Sequence, residues 1–183
     1  MFMRIPSVLS LILVFGGGAF ADSAPSPYAG QEHGEIKALS PDEMKNYWSG
    51  KGMGLAKAAE LNHYPGPAHV LELAHQLKLS PGQRARTQTL FQNMEADAVR
   101  LGRAVIEQER ILDELFATQA ITTEQLQSVL ETIAGLQGRL RRVHLEAHLA
   151  QKDILTPEQV RRYDGLRGYH NSGGPGGGHS HAH

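Results

Sequence analysis

The stretch LQSVLETIAGLQGRLRRVHLEAHLA, residues 126–150, decides the fold. Its residues Leu126, Val129, Ile133, Leu136, Leu140, Val143, Ala147 and Ala150 fall at alternating spacings of three and four. That is a heptad seam, the pattern of helices that pack lengthwise. A partner stripe lies upstream in Leu90, Met94, Ala98, Leu101, Val105, Leu112 and Phe116. A short joint around Ala120-Ile121 links the two, which predicts an antiparallel αα-hairpin. One hairpin alone leaves much apolar surface uncovered. A packed short helix or a second copy of the chain is expected to cover the rest.

The helix starts share one grammar. Ser40-Pro41-Asp42-Glu43, Ser80-Pro81-Gly82-Gln83 and Thr156-Pro157-Glu158-Gln159 each put a hydroxyl at N-cap, proline at N1 and Glu or Gln at N3. Thr122-Thr123-Glu124-Gln125 repeats the pattern without proline. In each, the hydroxyl accepts from a free backbone N–H and the N3 side chain reaches back to the cap. A further helix begins near Pro67-Ala68, after the breaker Pro65-Gly66. The expected elements are short helices over 41–48 and 67–78, long helices over 81–117 and 122–151, and a last helix over 157–168. Gly102, Gly135 and Gly138 interrupt the long helices, which fits either close helix approach or bending.

The two ends differ from this helical middle. Arg4, the apolar run Val8–Phe15 and the A-x-A site Ala19-Phe20-Ala21 have the form of a secretory signal peptide, residues 1–21. The apolar run is too short for a stable span of a bilayer. A periplasmic location and no membrane span after cleavage are therefore expected. Residues 22–39 are rich in Pro, Gly and Ser and predict a mobile arm. The helical domain is expected over 40–169. Residues 170–183 form a Gly/His-rich tail, read as disordered, that ends in the alternating His179, His181 and His183. With no cysteine, the chain has neither a disulfide framework nor a cysteine for lipid attachment. A formal charge of −1 gives no electrostatic case for nucleic acid. There is no nucleophile motif and no phosphate loop, so the chain does not read as an enzyme.

The histidines carry the chemistry. His144 and His148 stand four apart, on one helix face and beside the seam. Two imidazoles there can converge on one metal ion; the plainer alternative is two polar residues flanking a seam. His69, Glu72 and His75 lie in the short helix that precedes the hairpin. The second long helix runs back towards that point, so residues 69–75 and 144–148 should meet. Glu72 is one turn from either histidine, whereas His69 and His75 are about 120° apart around the helix. Glu95 and Met94 are further candidates, although Met94 also suits the core stripe. The tail histidines His179, His181 and His183 can chelate copper, nickel or zinc without any fold.

Leu79-Ser80-Pro81-Gly82-Gln83 and Leu155-Thr156-Pro157-Glu158-Gln159 both have the form L-[ST]-P-x-Q and bracket the hairpin. This pair resembles the twice-repeated LTxxQ motif of the Spy/CpxP family of periplasmic helical proteins, over roughly residues 67–168. That family includes ZraP-type zinc-responsive proteins and is similar to the CnrX-type metal sensors, and the segments YAGQE and IKALS ahead of GLAKAAELN are similar to a heavy-metal-resistance branch of the same group. The resemblance implies a homodimer of hooked helical hairpins that binds or senses metal, or else an ATP-independent chaperone or stress modulator. Unfolded clients or a membrane-bound sensor are then the implied partners. The metal sensors carry a late H-x3-[HM] pair, matched by His144 and His148, and an earlier H-x3-H pair. The six-residue spacing of His69 and His75 departs from the latter. A periplasmic protein of heavy-metal resistance or sensing, binding Zn, Cu, Ni or Co, is the expected function.

Overall fold

The structure is a computed structural model that describes residues 25–169. The chain divides into two units, one ending at Glu32 and the other beginning at His33. The described part of the first is a run of turns, closed by bonds such as Ala29 N–H to the Ser26 carbonyl at 2.9 Å. The expected signal peptide and the histidine tail lie outside the described residues.

The second unit is all-α among its described residues. Its elements are α1 (Pro41–Trp48), α2 (Lys57–Glu60), α3 (Pro67–Glu72), α4 (Pro81–Ala117), α5 (Thr123–Ile154) and α6 (Pro157–Arg167). The four expected capping boxes, at Ser40, Ser80, Thr122 and Thr156, are all formed, with both bonds present in each. α4 and α5 make the antiparallel hairpin, and Gln119 at φ 55° carries the reversal between them.

α3 is shorter than the expected helix over 67–78. It stops at Glu72, and the chain continues as turns to a left-handed Lys78 before Ser80 caps α4. Packing explains the difference: Leu73 and Leu77 join Val70, Leu155 and Tyr163 in one apolar cluster. Those contacts override helix propensity in so short a segment. α2 was not expected, because four residues are too few to show a period.

The hairpin core is Ala98, Leu101 and Val105 on α4 against Leu136 and Leu140 on α5. Beyond Leu140 the buried face drifts from the heptad. Its positions become His144, Ala147, His148 and Gln151, while Ala150 is exposed. A straight helix turns every 3.6 residues and drifts from a strict seven-residue repeat in this way. The drift carries both histidines into the helix contact.

Glycine at position 102 has a clear cause. A Cβ there would lie 2.2 Å from the Tyr47 carbonyl oxygen, so Gly102 permits close packing of α1 on α4. At Gly135 and Gly138 a Cβ would meet nothing within 4 Å. Ahead of α1, Ile36 is buried with Met44 and Ile106, and Lys37 pairs with Asp113 at 2.9 Å. The end of the segment expected as a mobile arm is thus docked on α4.

Candidate functional site

A cleft of about 650 Å³ opens where the 49–57 loop, α2, α3, α4 and α5 meet. His69, Glu72, Met94, Glu95, His144 and His148 all line it. The hairpin therefore does bring the short helix to the late histidine pair. His75 is exposed and does not line the cleft, because the chain leaves helical geometry after Glu72. His179, His181 and His183 fall outside the described residues.

His144 and His148 are 4% and 9% exposed, so both rings sit inside the helix contact. His148 Nδ1 lies 2.7 Å from the Tyr64 carbonyl oxygen. A carbonyl only accepts, so Nδ1 donates and the lone pair is left on Nε2. Two clamps hold the Tyr64 segment in place. The Lys152 ammonium stands 3.7 Å over the Tyr64 ring, and His63 Nδ1 donates to Asp164 at 2.8 Å. Gly66 lies against the His148 ring: a Cβ there would be 2.9 Å from His148 Cε1 and 3.0 Å from Nε2.

His144 differs from its neighbour. Its Nε2 is buried with no hydrogen-bond partner. Burial first, and then the nearby His148, push its pKa below the usual histidine value. The ring is therefore held neutral, the state that can ligate a metal. Buried polar atoms without partners are few in a packed protein, and among the described residues Thr87, Gln151, Asp164 and Arg167 carry the others. A seam position given to such a group is one that Leu would fill at lower cost.

Sequence reasoning missed Glu60, on α2. Its carboxylate accepts from Tyr163 at 2.5 Å, Tyr169 at 3.0 Å and the Gly66 N–H at 3.2 Å. It also lies 3.6 Å from His69 Nδ1, 3.7 Å from His148 Nδ1 and 3.4 Å from Arg167 Nε. Burial by itself would raise its pKa, but the contacts with His69, Tyr163 and Tyr169 outweigh it and bring the value down to about 2. Glu60 is thus an anion at neutral pH that ties α2, α3, α5 and α6 together. The sequence holds no signal for it, since its partners lie up to 109 residues away.

Among the described residues, no group of three or more His, Asp or Glu side chains is arranged to hold a metal ion. The histidine pair and the cleft are what the fold presents.

The described residues thus form an all-α hairpin whose capped helices enclose a histidine-lined cleft. A family model described as heavy-metal resistance matches residues 50–162, and the chain belongs to that family. The match spans both L-[ST]-P-x-Q motifs, Glu60, His69 and the His144/His148 pair, in agreement with the resemblance read from the motifs. Comparisons with curated proteins and with solved structures returned no match. No described helix is long and apolar enough to cross a membrane.

Proposed function

We propose that this protein binds a transition-metal ion in the periplasm and serves heavy-metal resistance or sensing. His144 and His148 are the central ligands, through Nε2 of each ring. His69, Glu72 and Glu95 line the same cleft, with His69 near the Glu60 carboxylate that also approaches His148. One observation carries the proposal: a seam that should be apolar holds two adjacent histidines, one oriented by the Tyr64 carbonyl and one with a buried, unpartnered Nε2. Orientation of the second ring nitrogen by a carbonyl is how ligating histidines are usually supported. The donor set suits zinc, copper, nickel or cobalt, all of which accept imidazole. Membership of the heavy-metal resistance family supports the same function.

The homodimer is part of the proposal. None of residues 107–132, which form the far end of the hairpin, is buried, while Phe116 is 55% and Leu130 47% exposed. Apolar side chains on a bare two-helix tip favour cover by a second copy.

The test is thermal unfolding with and without metal. The parent carries the tail substitutions H179A, H181A and H183A, so that only the folded site can respond. Adding H144A and H148A should remove the metal-dependent rise in melting temperature while the fold survives. An unchanged rise would make metal binding at this pair wrong. The chaperone function, with unfolded clients as ligands, would then take its place.

A further inference from the structure

The described residues include three methionines, Met44, Met53 and Met94. Met44 belongs to the core with Ile36 and Ile106. The other two line the histidine cleft. Core packing does not explain Met53, which is 39% exposed. Its backbone lies at φ 43°, in the left-handed region that disfavours any residue with a Cβ. Glycines 52 and 54 flank it, so this strained position is held by a side chain where glycine would sit more easily. Outliers of this kind cluster at functional sites.

The loop is placed at two points. Gly50 packs on α4, where a Cβ would be 3.1 Å from Ala98 Cβ and Val99 Cγ2. Gly52 abuts His144, with 3.9 Å from a Cβ there to ring atoms Cε1 and Nδ1. Met53 is the very next residue. Met94 lies one turn before Ala98 on the same face of α4. Met53 and Met94 both line the cleft that His144 and His148 line.

We propose that Met53 and Met94 add thioether donors to the His144/His148 pair, and that the cleft prefers a soft monovalent ion, Cu(I) or Ag(I), over Zn(II). This rests on the metal-binding function proposed above. Thioether sulfur is a soft, neutral donor that selects Cu(I), while imidazole serves soft and borderline ions alike. The carboxylates that would suit harder ions are placed differently. Glu60 is engaged by two tyrosines, a backbone N–H and Arg167, and Glu72 and Glu95 are exposed at the rim. A single positive charge among neutral donors also costs less to desolvate than a double one.

Binding of Ag(I), of Cu(I) kept reduced under anaerobic conditions, and of Zn(II) to the full chain tests this, by competition with chelators of known affinity. The background again carries H179A, H181A and H183A. Leucine conserves the volume of methionine, so M53L/M94L keeps the packing. The double variant should lose about a hundredfold in Ag(I) and Cu(I) affinity, about tenfold per thioether, with Zn(II) affinity unchanged within about threefold. X-ray absorption of the Cu(I) form gives an independent readout. The chain has no cysteine, so any sulfur in the copper shell is a thioether. That sulfur should be present in the parent and absent from M53L/M94L. Unchanged Ag(I) affinity, an equal loss for silver and zinc, or a copper shell of nitrogen and oxygen alone overturns the proposal and leaves the histidine site standing. Failure of the histidine site shows differently: H144A/H148A would then leave all three metals bound as in the parent.

Discussion

Gln83 and Gln159 hydrogen-bond to each other through both amides. Gln83 Nε2 donates to Gln159 Oε1 at 2.8 Å, and Gln159 Nε2 donates to Gln83 Oε1 at 3.1 Å. Each is the N3 residue of its own capping box. Gln83 also donates to the Ile154 carbonyl, at the end of the helix that precedes α6, and Gln159 to the Leu77 carbonyl, in the segment that precedes α4. The repeated motif is thus a cap twice over and a clasp once, joining the start of α4 to the start of α6.

Breaking the clasp should cost more than losing a cap. Q83A strands the Gln159 amide and the Ile154 carbonyl in a partly buried place, for a loss of about 1–3 kcal/mol. Q159A should cost about as much by the same mechanism. In the double variant the two losses should fall short of their sum, since they share one interaction. Urea unfolding of the three variants measures this, and strict additivity would show that the glutamines act only as separate caps.

Metal should stabilise the folded chain through His144 and His148. At a free metal concentration of 100 times the dissociation constant, the gain is about 2.7 kcal/mol. G66A should weaken that gain without replacing a ligand, because the added methyl would press on His148 Cε1 and Nε2. Calorimetric titration of G66A beside the parent separates a changed affinity from a changed fold.

Acid should loosen the α2–α6 junction through Glu60. Its folded pKa of about 2 lies below the ordinary value of 4.5, so its stabilisation is fully present above pH 4.5. It is lost as pH falls from there through about 2, and amounts to something on the order of 3 kcal/mol. E60Q should lower stability at neutral pH and flatten the acid limb of the stability profile. An acid limb of equal steepness in E60Q and the parent would remove Glu60 from this role.

Gly102, Gly135 and Gly138, inside the long helices, should answer differently to alanine. Alanine favours a helix over glycine by about 1 kcal/mol. At Gly135 and Gly138 a Cβ meets nothing, so G135A and G138A should stabilise by about that amount. At Gly102 the Cβ would meet the Tyr47 backbone at 2.2 Å, which no rotamer change relieves. G102A should therefore be destabilising, with the clash of about 1–3 kcal/mol outweighing the propensity gain. Thermal melts rank the three, and near-ultraviolet dichroism of Tyr47 and Trp48 reports displacement of α1.

Charges at the hairpin tip should dissociate the proposed dimer. F116E and L130E each place a carboxylate where an apolar contact with a second copy is expected. Light scattering should move from dimer to monomer mass. A parent that stays monomeric at every micromolar concentration would count against the dimer itself.

The sequence determined the hairpin, because its signals are local. A capping box needs four consecutive residues, and an apolar stripe repeats every turn, so Ser80, Thr122 and the run from Leu126 to Leu140 identify their own structure. The sequence also put His144 and His148 on one helix face, since i,i+4 spacing is fixed by helix geometry. Only the tertiary structure decided what surrounds them. The burial of His144 follows from a drift of the helix contact that begins past Leu140, and the orientation of His148 depends on a carbonyl 84 residues away. Glu60, Tyr64 and Met53 lie in short or irregular segments, where no period marks a face and only packing selects the conformation. His75 fell out of the site for the same reason. Its helix was too short for local propensity to prevail over the burial of Leu73 and Leu77, and the turn that resulted left His75 outside the cleft.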